Sequence, residues 1–227
     1  MSTVTVGRTL DSEGNPIEGT GFEVDPDGDL ARRIANRTGP VSSHPTRAVW
    51  GVPQPGPENV VRTLSIFGPG YTGPPEHYHR QSLEVFDVEA GSLTLTLDGA
   101  ETQVSAGESA TVETGVVHTF RNETDERAIV TTEIHDPGKL RQVLPTLGGL
   151  AHDAEGDPSD PLQLAMIAHR LDDNTVFTDG EGPVRGRVVD ALTPVARLAG
   201  YRGAYDRYVR PTFWERHVEQ PALTESG

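Results

Sequence analysis

Short runs of alternating apolar and polar residues dominate residues 47–135 of the chain. The runs are rich in β-branched residues and are separated by Gly, Asp or Asn; they read VVRTLSIF, LEVFDVEAG, SLTLTLDG, SATVETG, VVHTFRN and AIVTTEIH. Alternation places successive side chains on opposite faces of a strand, and the separating residues are typical of tight turns. The pattern therefore predicts an antiparallel all-β core, either a sandwich or a barrel.

The segment before this core has a different composition. Residues 1–46 are rich in Gly, Pro, Asp and Ser, which predicts an irregular N-terminal arm. One stretch within it, DGDLARRIANRTG, is predicted to form a short helix with Asp27 or Asp29 as its N-cap.

After residue 136 the spacing of apolar residues becomes helical. The stretch DPLQLAMIAHRLDD predicts a helix with Asp160 as its N-cap, and VRGRVVDALTPVARLAGY predicts another that kinks or divides at Pro194, where Thr193 is a new cap. The aromatic and arginine-rich end, YRGAYDRYVRPTFWERHVEQ, is predicted to pack on the barrel or on a partner subunit. The predicted domains are thus an arm (1–46), a β-barrel (47–136) and a helical C-terminal extension (137–227).

Composition limits the classes of function. The 227 residues contain no cysteine, so a metal site in this chain would use nitrogen and oxygen donors. The net charge of −15 argues against nucleic acid and anionic membranes as partners. Lys139 is the only lysine, a bias that fits either a protein kept soluble in high salt or a GC-rich genome. With no long apolar run and no basic, apolar leader at the N-terminus, we expect a cytoplasmic protein.

The stretch HYHRQSLE contains the candidate chemistry. His77 and His79 are one residue apart, so in a strand their side chains point to the same face and can bind one cation. Glu84 follows five residues later, and His118 lies in another predicted strand. A lone histidine on an apolar face is more often a core residue than a ligand, and an isolated His-x-His is a weak signal.

The residues around these histidines form two longer motifs. HYHRQSLEVFDVEAG fits H-x-H-x4-E-x6-G, which ends at Gly91, and GESATVETGVVHTFRN fits G-x5-P-x-G-x2-H-x3-N except at its proline. With both motifs in order, residues 58–136 resemble the cupin superfamily. The fifteen residues between the motifs resemble the spacing of compact microbial cupins.

Two positions depart from the family pattern. Glu113 stands where the second motif has proline, and Tyr71 stands where the family has a glycine before the first histidine. Neither is a ligand position. We expect these departures to affect the loops at the mouth of the barrel, where Glu113 or Tyr71 would be rim residues.

The resemblance implies a jelly-roll barrel that holds one divalent transition metal per chain. The ligands it implies are His77, His79, Glu84 and His118, and the expected metal is iron or manganese, with nickel, zinc and copper as alternatives. Three imidazoles and a carboxylate suit such ions and do not form the all-oxygen cage of a calcium site.

The family includes several functions, and the fold alone does not choose among them. The first prediction is a dioxygenase that cleaves a small enolic or diketone compound, resembling quercetinase-like cupins, in which Glu84 is also the catalytic base. The alternatives are a non-redox isomerase or cyclase on a carbonyl or sugar-like substrate, and a non-catalytic ligand-binding cupin. Phe86 and Phe120 are predicted to line the barrel interior, and a homodimer is expected. Four further histidines, His44, His152, His169 and His217, are expected at the surface without a role.

Overall fold

The computed structural model of the chain describes residues 3–178 and 182–223. In chain order the strands are β1 (Val4–Val6), β2 (Phe22–Val24), β3 (Ser42–Ser43), β4 (Val49–Pro53), β5 (Val60–Phe67), β6 (His77–His79), β7 (Leu83–Ala90), β8 (Ser92–Leu97), β9 (Ala100–Ser105), β10 (Ser109–Val112), β11 (His118–Arg121), β12 (Ala128–His135) and β13 (Thr175–Phe177). The helices are α1 (Asp29–Ala35), α2 (Leu140–Ala154), α3 (Pro161–Leu171), α4 (Gly182–Leu198), α5 (Asp206–Val209) and α6 (Pro211–His217).

Two antiparallel sheets form the barrel. The first has the strand order β10-β7-β12-β5-β4-β3 and the second has the order β13-β6-β11-β8-β9. Apolar residues from both sheets pack together between them, among them Phe86 and Val130 from the first sheet and Leu93 and Leu95 from the second. This confirms the predicted cupin jelly-roll with an N-terminal arm and a C-terminal helical extension.

The alternation in the sequence explains which side chains enter the barrel. Along β7, Glu84, Phe86 and Val88 are buried and the residues between them are partly exposed. In β5, the side chains that point away from the barrel interior are buried too, namely Leu64 and Ile66. The arm covers that face: Phe22 and Ile34 pack in the same cluster as Leu64 and Ile66.

The arm is therefore more ordered than its composition indicates. β1 pairs with β2, and β3 extends the first sheet by pairing with β4. Helix α1 begins at Asp29 with Gly28 as the N-cap residue, so the predicted caps Asp27 and Asp29 are both wrong. The division of the chain at residues 46 and 136 stays a prediction.

The helical extension follows the barrel as expected. Asp160 caps α3, because its Oδ1 accepts hydrogen bonds from the backbone N–H groups of Leu162 at 2.8 Å and Gln163 at 3.3 Å. α4, in contrast, continues through Pro194. Thr193 is not a cap, since its hydroxyl donates to the carbonyl of Val189. The helix tolerates Pro194 because that residue is exposed, where water can replace the lost hydrogen bond.

The aromatic C-terminal segment packs on its own chain. Tyr208 is fully buried, and its hydroxyl donates to Asp153 of α2 at 2.7 Å. Trp214 joins the core cluster between the arm and the first sheet. In the described part of the chain, no helix is both long and apolar enough to cross a membrane.

Candidate metal centre

The two sheets bring the predicted ligands together from different strands. His77 and His79 are buried at the two ends of β6, while Tyr78 between them is only partly buried. His118 begins β11 and lies directly opposite His77 in the strand pairing. Glu84 comes from β7 in the other sheet. The period of two along β6 therefore aims both of its histidines at the carboxylate.

The four side chains form one compact cluster. Each offers a ligand atom, and these atoms all lie within 4.8 Å of one another. His79 Nε2 lies 2.9 Å from Glu84 Oε1, and His118 Nε2 lies 3.6 Å from Glu84 Oε2. All four residues are buried. This arrangement can hold a metal ion.

The outer ring nitrogens explain how two of the imidazoles are oriented. His77 Nδ1 lies 2.9 Å from the carbonyl oxygen of Pro75, and His118 Nδ1 lies 3.0 Å from that of Val116. A carbonyl only accepts, so both Nδ1 atoms carry the hydrogen and donate it. In a neutral imidazole this leaves the lone pair on Nε2, which faces the centre. Outer hydrogen bonds of this kind are usual for metal-binding histidines.

One nitrogen of the cluster has the surroundings expected of a metal ligand. Within the described residues, His118 Nε2 is buried and has no hydrogen-bond partner. Its distance of 3.6 Å to Glu84 is too long for a hydrogen bond. A lone pair that faces a carboxylate at this distance is satisfied by a positive ion between them. The donor set of three imidazole nitrogens and one carboxylate suits Fe, Mn, Ni, Cu or Zn.

The charges in the cluster also suit a cation. Burial by itself would raise the pKa of Glu84, but the imidazoles of His118 and His79 outweigh it and hold the pKa well below its usual range. Burial, together with the neighbouring His118, lowers the pKa of His77 to about 4. Burial alone would lower the pKa of His118, but the Glu84 carboxylate outweighs it and raises that pKa. At neutral pH the cluster thus offers an ionised carboxylate and a neutral imidazole at His77, whereas His118 must release any proton on Nε2 when it ligates a metal.

The second motif forms its turn without the family's proline. Val116 N–H donates to the carbonyl of Glu113 at 3.2 Å, and Gly115 N–H donates to the carbonyl of His79 at 2.8 Å. Glu113 itself is exposed. The motif's Asn122 is buried, and its side-chain amide donates to the carbonyls of Phe67 and Gly68, both at 3.0 Å. These motif residues shape the loops around the ligands.

Three other titratable residues, Glu133, His135 and His152, lie away from the centre. Ile134 is opposite Glu84 in the pairing of β12 with β7, so the neighbouring Glu133 and His135 point to the other face of the sheet. They bond to each other there, with His135 Nε2 3.0 Å from Glu133 Oε2. The expected surface position of His152 is wrong, since only 9% of it is exposed.

An aromatic group occupies the barrel interior. The rings of Phe86 and Phe120 lie 5.2 Å apart, and Phe67 packs against Phe120 at the same centroid distance. Tyr71, expected at the rim, stacks on Phe67 at 4.9 Å. The interior beside the cluster of His77, His79, Glu84 and His118 is thus apolar and aromatic.

Sequence reasoning missed a residue that contacts the cluster. Thr175 of β13 is buried, and its Oγ1 lies 3.0 Å from His79 Nδ1. It is 96 positions from His79 and lies outside both motifs. No local pattern marks it, because the contact depends on how the extension folds back on the barrel.

The comparisons with known proteins agree with this architecture. Residues 63–134 match the protein-family model described as Cupin domain. No protein of curated function matches the chain.

Several solved structures are similar in part. A sugar phosphate isomerase of the cupin superfamily from Silicibacter pomeroyi is 25% identical, with 38% of this chain and 59% of that chain covered and a TM-score of 0.36. A predicted oxalate decarboxylase from Thermotoga maritima is 16% identical, with 38% and 79% covered and a TM-score of 0.36. The Cnp3 cupin domain of Schizosaccharomyces pombe is 10% identical, with 58% and 86% covered and a TM-score of 0.38.

These likenesses are too partial to indicate an activity. The chain spans 59% of the length of the Silicibacter pomeroyi isomerase and of a putative sugar phosphate isomerase from Acidithiobacillus ferrooxidans. The family match over residues 63–134 and the two facing antiparallel sheets establish that this chain contains a cupin domain.

Proposed function

We propose that the chain binds one divalent transition-metal ion through His77, His79, Glu84 and His118. The observation that carries the proposal is the convergence of their four ligand atoms within 4.8 Å in a buried cluster. Iron or manganese is the proposed metal, with nickel, zinc and copper as alternatives. The cation would compensate the buried charge of Glu84, which is otherwise costly to bury.

We propose further that the chain is a dioxygenase that cleaves a small enolic or diketone compound. When bound, a redox-active ion of this kind supplies both charge stabilisation for an enolate and reactivity with O2. The chain contains no cysteine, and a thiolate nucleophile is therefore not available. The buried metal cluster is the chemical tool on which the proposal rests.

Glu84 is the proposed base. Its Oε1 pairs with His79 Nε2 at 2.9 Å, whereas its Oε2 lies 3.6 Å from His118 Nε2, beyond hydrogen-bond length. With a metal bound, the nitrogens of both histidines would face the ion, and the carboxylate oxygen of Glu84 that does not ligate it would accept the proton from the substrate. Because the imidazoles hold the pKa of Glu84 low, the carboxylate gains basicity only when one of these contacts loosens.

The barrel interior supports an apolar substrate over a sugar. Phe67, Phe86 and Phe120 pack together there, and the hydroxyls of Ser65 and Thr132 lie 3.1 Å apart and bond to each other. A polyhydroxylated ligand needs many polar partners, since each buried polar group without one is costly. A substrate that reaches the metal beside these rings would therefore be an enolic or diketone compound with an apolar or aromatic body.

Two measurements test the proposed function, and the first is the metal content of the protein. Protein purified without a nickel column should contain about one transition-metal ion per chain, and the double variant His77→Ala/His79→Ala should contain almost none. His169→Ala removes an exposed histidine of α3 and should keep the metal. A double variant that retains stoichiometric metal would contradict the metal proposal.

The second measurement is oxygen uptake on a panel of enols and diketones. Glu84→Gln keeps the size of the side chain but removes its charge, so it should preserve the fold and abolish nearly all turnover. Full activity in the strict absence of oxygen, or with zinc as the sole metal, would replace the dioxygenase proposal with a non-redox isomerase.

A further inference from the structure

The edge strand beside the metal ligands belongs to the C-terminal extension. β13 pairs with β6 in antiparallel register, with Thr175 opposite His79 and Phe177 opposite His77. It lies outside residues 63–134, the part of the chain that matches the cupin family. The sheet that provides three of the four proposed ligands is therefore completed by a segment beyond that match.

The hydroxyl of Thr175 contacts Nδ1 of His79, the ring nitrogen on the side away from Glu84. Only 4% of the residue is exposed, and its Oγ1 lies 3.0 Å from His79 Nδ1. On its other side the same imidazole places Nε2 2.9 Å from Glu84 Oε1. When Nε2 is a metal ligand, Nδ1 carries the hydrogen and donates it to the threonine hydroxyl. Thr175 thus has the role at His79 that backbone carbonyls have at His77 and His118.

The side chain of Asn174 forms hydrogen bonds to the loop that joins His79 to Glu84. Its Oδ1 accepts hydrogen bonds from the backbone N–H groups of Gln81 at 3.0 Å and Ser82 at 3.2 Å, and its Nδ2 donates to Ser82 Oγ at 2.6 Å. Its own carbonyl accepts from Arg80 N–H. Residues 80–82 connect His79 to β7 and Glu84. One buried side chain of the extension therefore fixes the link between these ligands.

The segment that includes these two residues is anchored at both ends. Before it, Asp173 forms an ion pair with Lys139 at the start of α2, with 2.8 Å between Nζ and Oδ2. After it, the ring of Phe177 lies 5.8 Å from that of His77 and packs against the cluster formed by α2 and α3. These contacts pack the segment against α2 and α3 and beside His77, where it can support the proposed ligands.

We infer that the extension is part of the metal site, with Thr175 as a positioning residue for His79 and Asn174 as the support of the His79–Glu84 connection. The inference rests on the proposed metal binding and adds that the family-matched residues do not form the whole site. Loss of an outer-shell partner of a metal ligand typically weakens metal affinity about 10- to 100-fold. We expect an effect in that range from removal of the Thr175 hydroxyl.

The test compares metal affinities of hydroxyl variants. Thr175→Val removes the hydroxyl with little change of shape, while Thr175→Ser keeps it. Affinity for Mn(II) and Co(II) is measured by competition with a chelator, and the Co(II) absorption spectrum reports the ligand environment. Thr175→Val should bind about 10- to 100-fold more weakly with an altered spectrum, and Thr175→Ser should match the wild type.

A threonine nearby provides the matched control. Thr178 follows β13, and within the described residues its buried Oγ1 has no hydrogen-bond partner. Thr178→Val therefore removes a hydroxyl from the same segment without removing a hydrogen bond to a ligand, and it should leave metal affinity unchanged. Thermal unfolding of each metal-free variant measures any general loss of stability separately from affinity.

The outcomes separate this inference from the metal proposal. Wild-type affinity in a folded Thr175→Val variant overturns the inference, as does an equal loss in Thr175→Ser and Thr175→Val. If Thr175→Val does not fold, Thr175→Ala is measured with the same criteria, and the serine variant still decides whether the hydroxyl matters. Failure of the wild-type protein to bind either metal would instead overturn the proposed function.

Discussion

At the scale of single residues, burial alone does not distinguish a ligand histidine from a structural one. His152 of α2 is buried like the three histidines of the candidate metal site, but its Nε2 donates to the backbone carbonyl of Ser43 at 3.0 Å. Its ring lies edge-on to those of Trp214 and His217, at centroid distances of 5.8 Å and 5.4 Å. The proposed ligand histidines differ from it because they converge on the carboxylate of Glu84.

His152 should make the stability of the protein depend on pH. Burial, with smaller contributions from the nearby His217 and His44, lowers its pKa from 6.5 to about 4. Between these values the unfolded chain binds a proton that the folded chain does not, so stability falls as the pH decreases from 6.5 towards 4. At pH 5 the loss is at most about 2 kcal/mol, and solvent screening reduces it.

Urea unfolding from pH 7 to pH 5 measures this effect. His152→Gln keeps an N–H donor for Ser43 but does not titrate, so its stability should decrease less over this range than that of the wild type. His169→Gln, which removes an exposed histidine, should follow the wild type. Equal pH dependence in all three proteins would show that His152 does not contribute.

At the scale of elements, α2 connects the barrel to the C-terminal segment through a close contact. Gly149 lies within this helix, and a Cβ at that position would clash with the ring of Tyr208. Glycine inside a helix normally costs about 1 kcal/mol relative to alanine. Here the missing side chain makes room for the fully buried ring of the tyrosine.

Gly149→Ala should therefore destabilise the protein, although alanine is the better helix former. Overpacking of a core typically costs about 1–3 kcal/mol, which exceeds the gain in helix propensity. Gly156→Ala is the control, because a Cβ there meets nothing within 4 Å, and it should change stability by less than about 0.5 kcal/mol. The two variants are compared by urea unfolding, and a Gly149→Ala protein at least as stable as the wild type would refute the packing argument.

At the scale of the whole molecule, charge opposes association of the chain with itself. The chain has 34 acidic and 19 basic residues other than histidine, a net charge of −15. The aromatic residues that suggested a homodimer, including Tyr208 and Trp214, are buried within their own chain. The homodimer remains a prediction. The apolar side chains of Val195 and Leu198 on α4 are exposed, and we propose them as its contact surface.

Association should strengthen with salt, because ions screen the repulsion between two such acidic chains. Sedimentation velocity at micromolar concentration should give a dimer in molar salt and more monomer at low salt. Leu198→Asp places a charge on the α4 surface, where 91% of Leu198 is exposed, and should shift the protein towards monomer. A wild-type protein that is monomeric in molar salt would rule the dimer out.

The sequence by itself predicted an antiparallel all-β core from local alternation, and its resemblance to the cupin superfamily implied the barrel and the four candidate ligands. Alternation over each strand sets which side chains face inward, and the spacing of His77, His79 and Glu84 follows from a strand, a short turn and a second strand. Only the tertiary structure placed Thr175 beside His79, 96 positions away, and covered the outer face of the first sheet with the arm. Such contacts depend on how separate elements pack, and neither the period of a strand nor the composition of an arm specifies the partner across the interface.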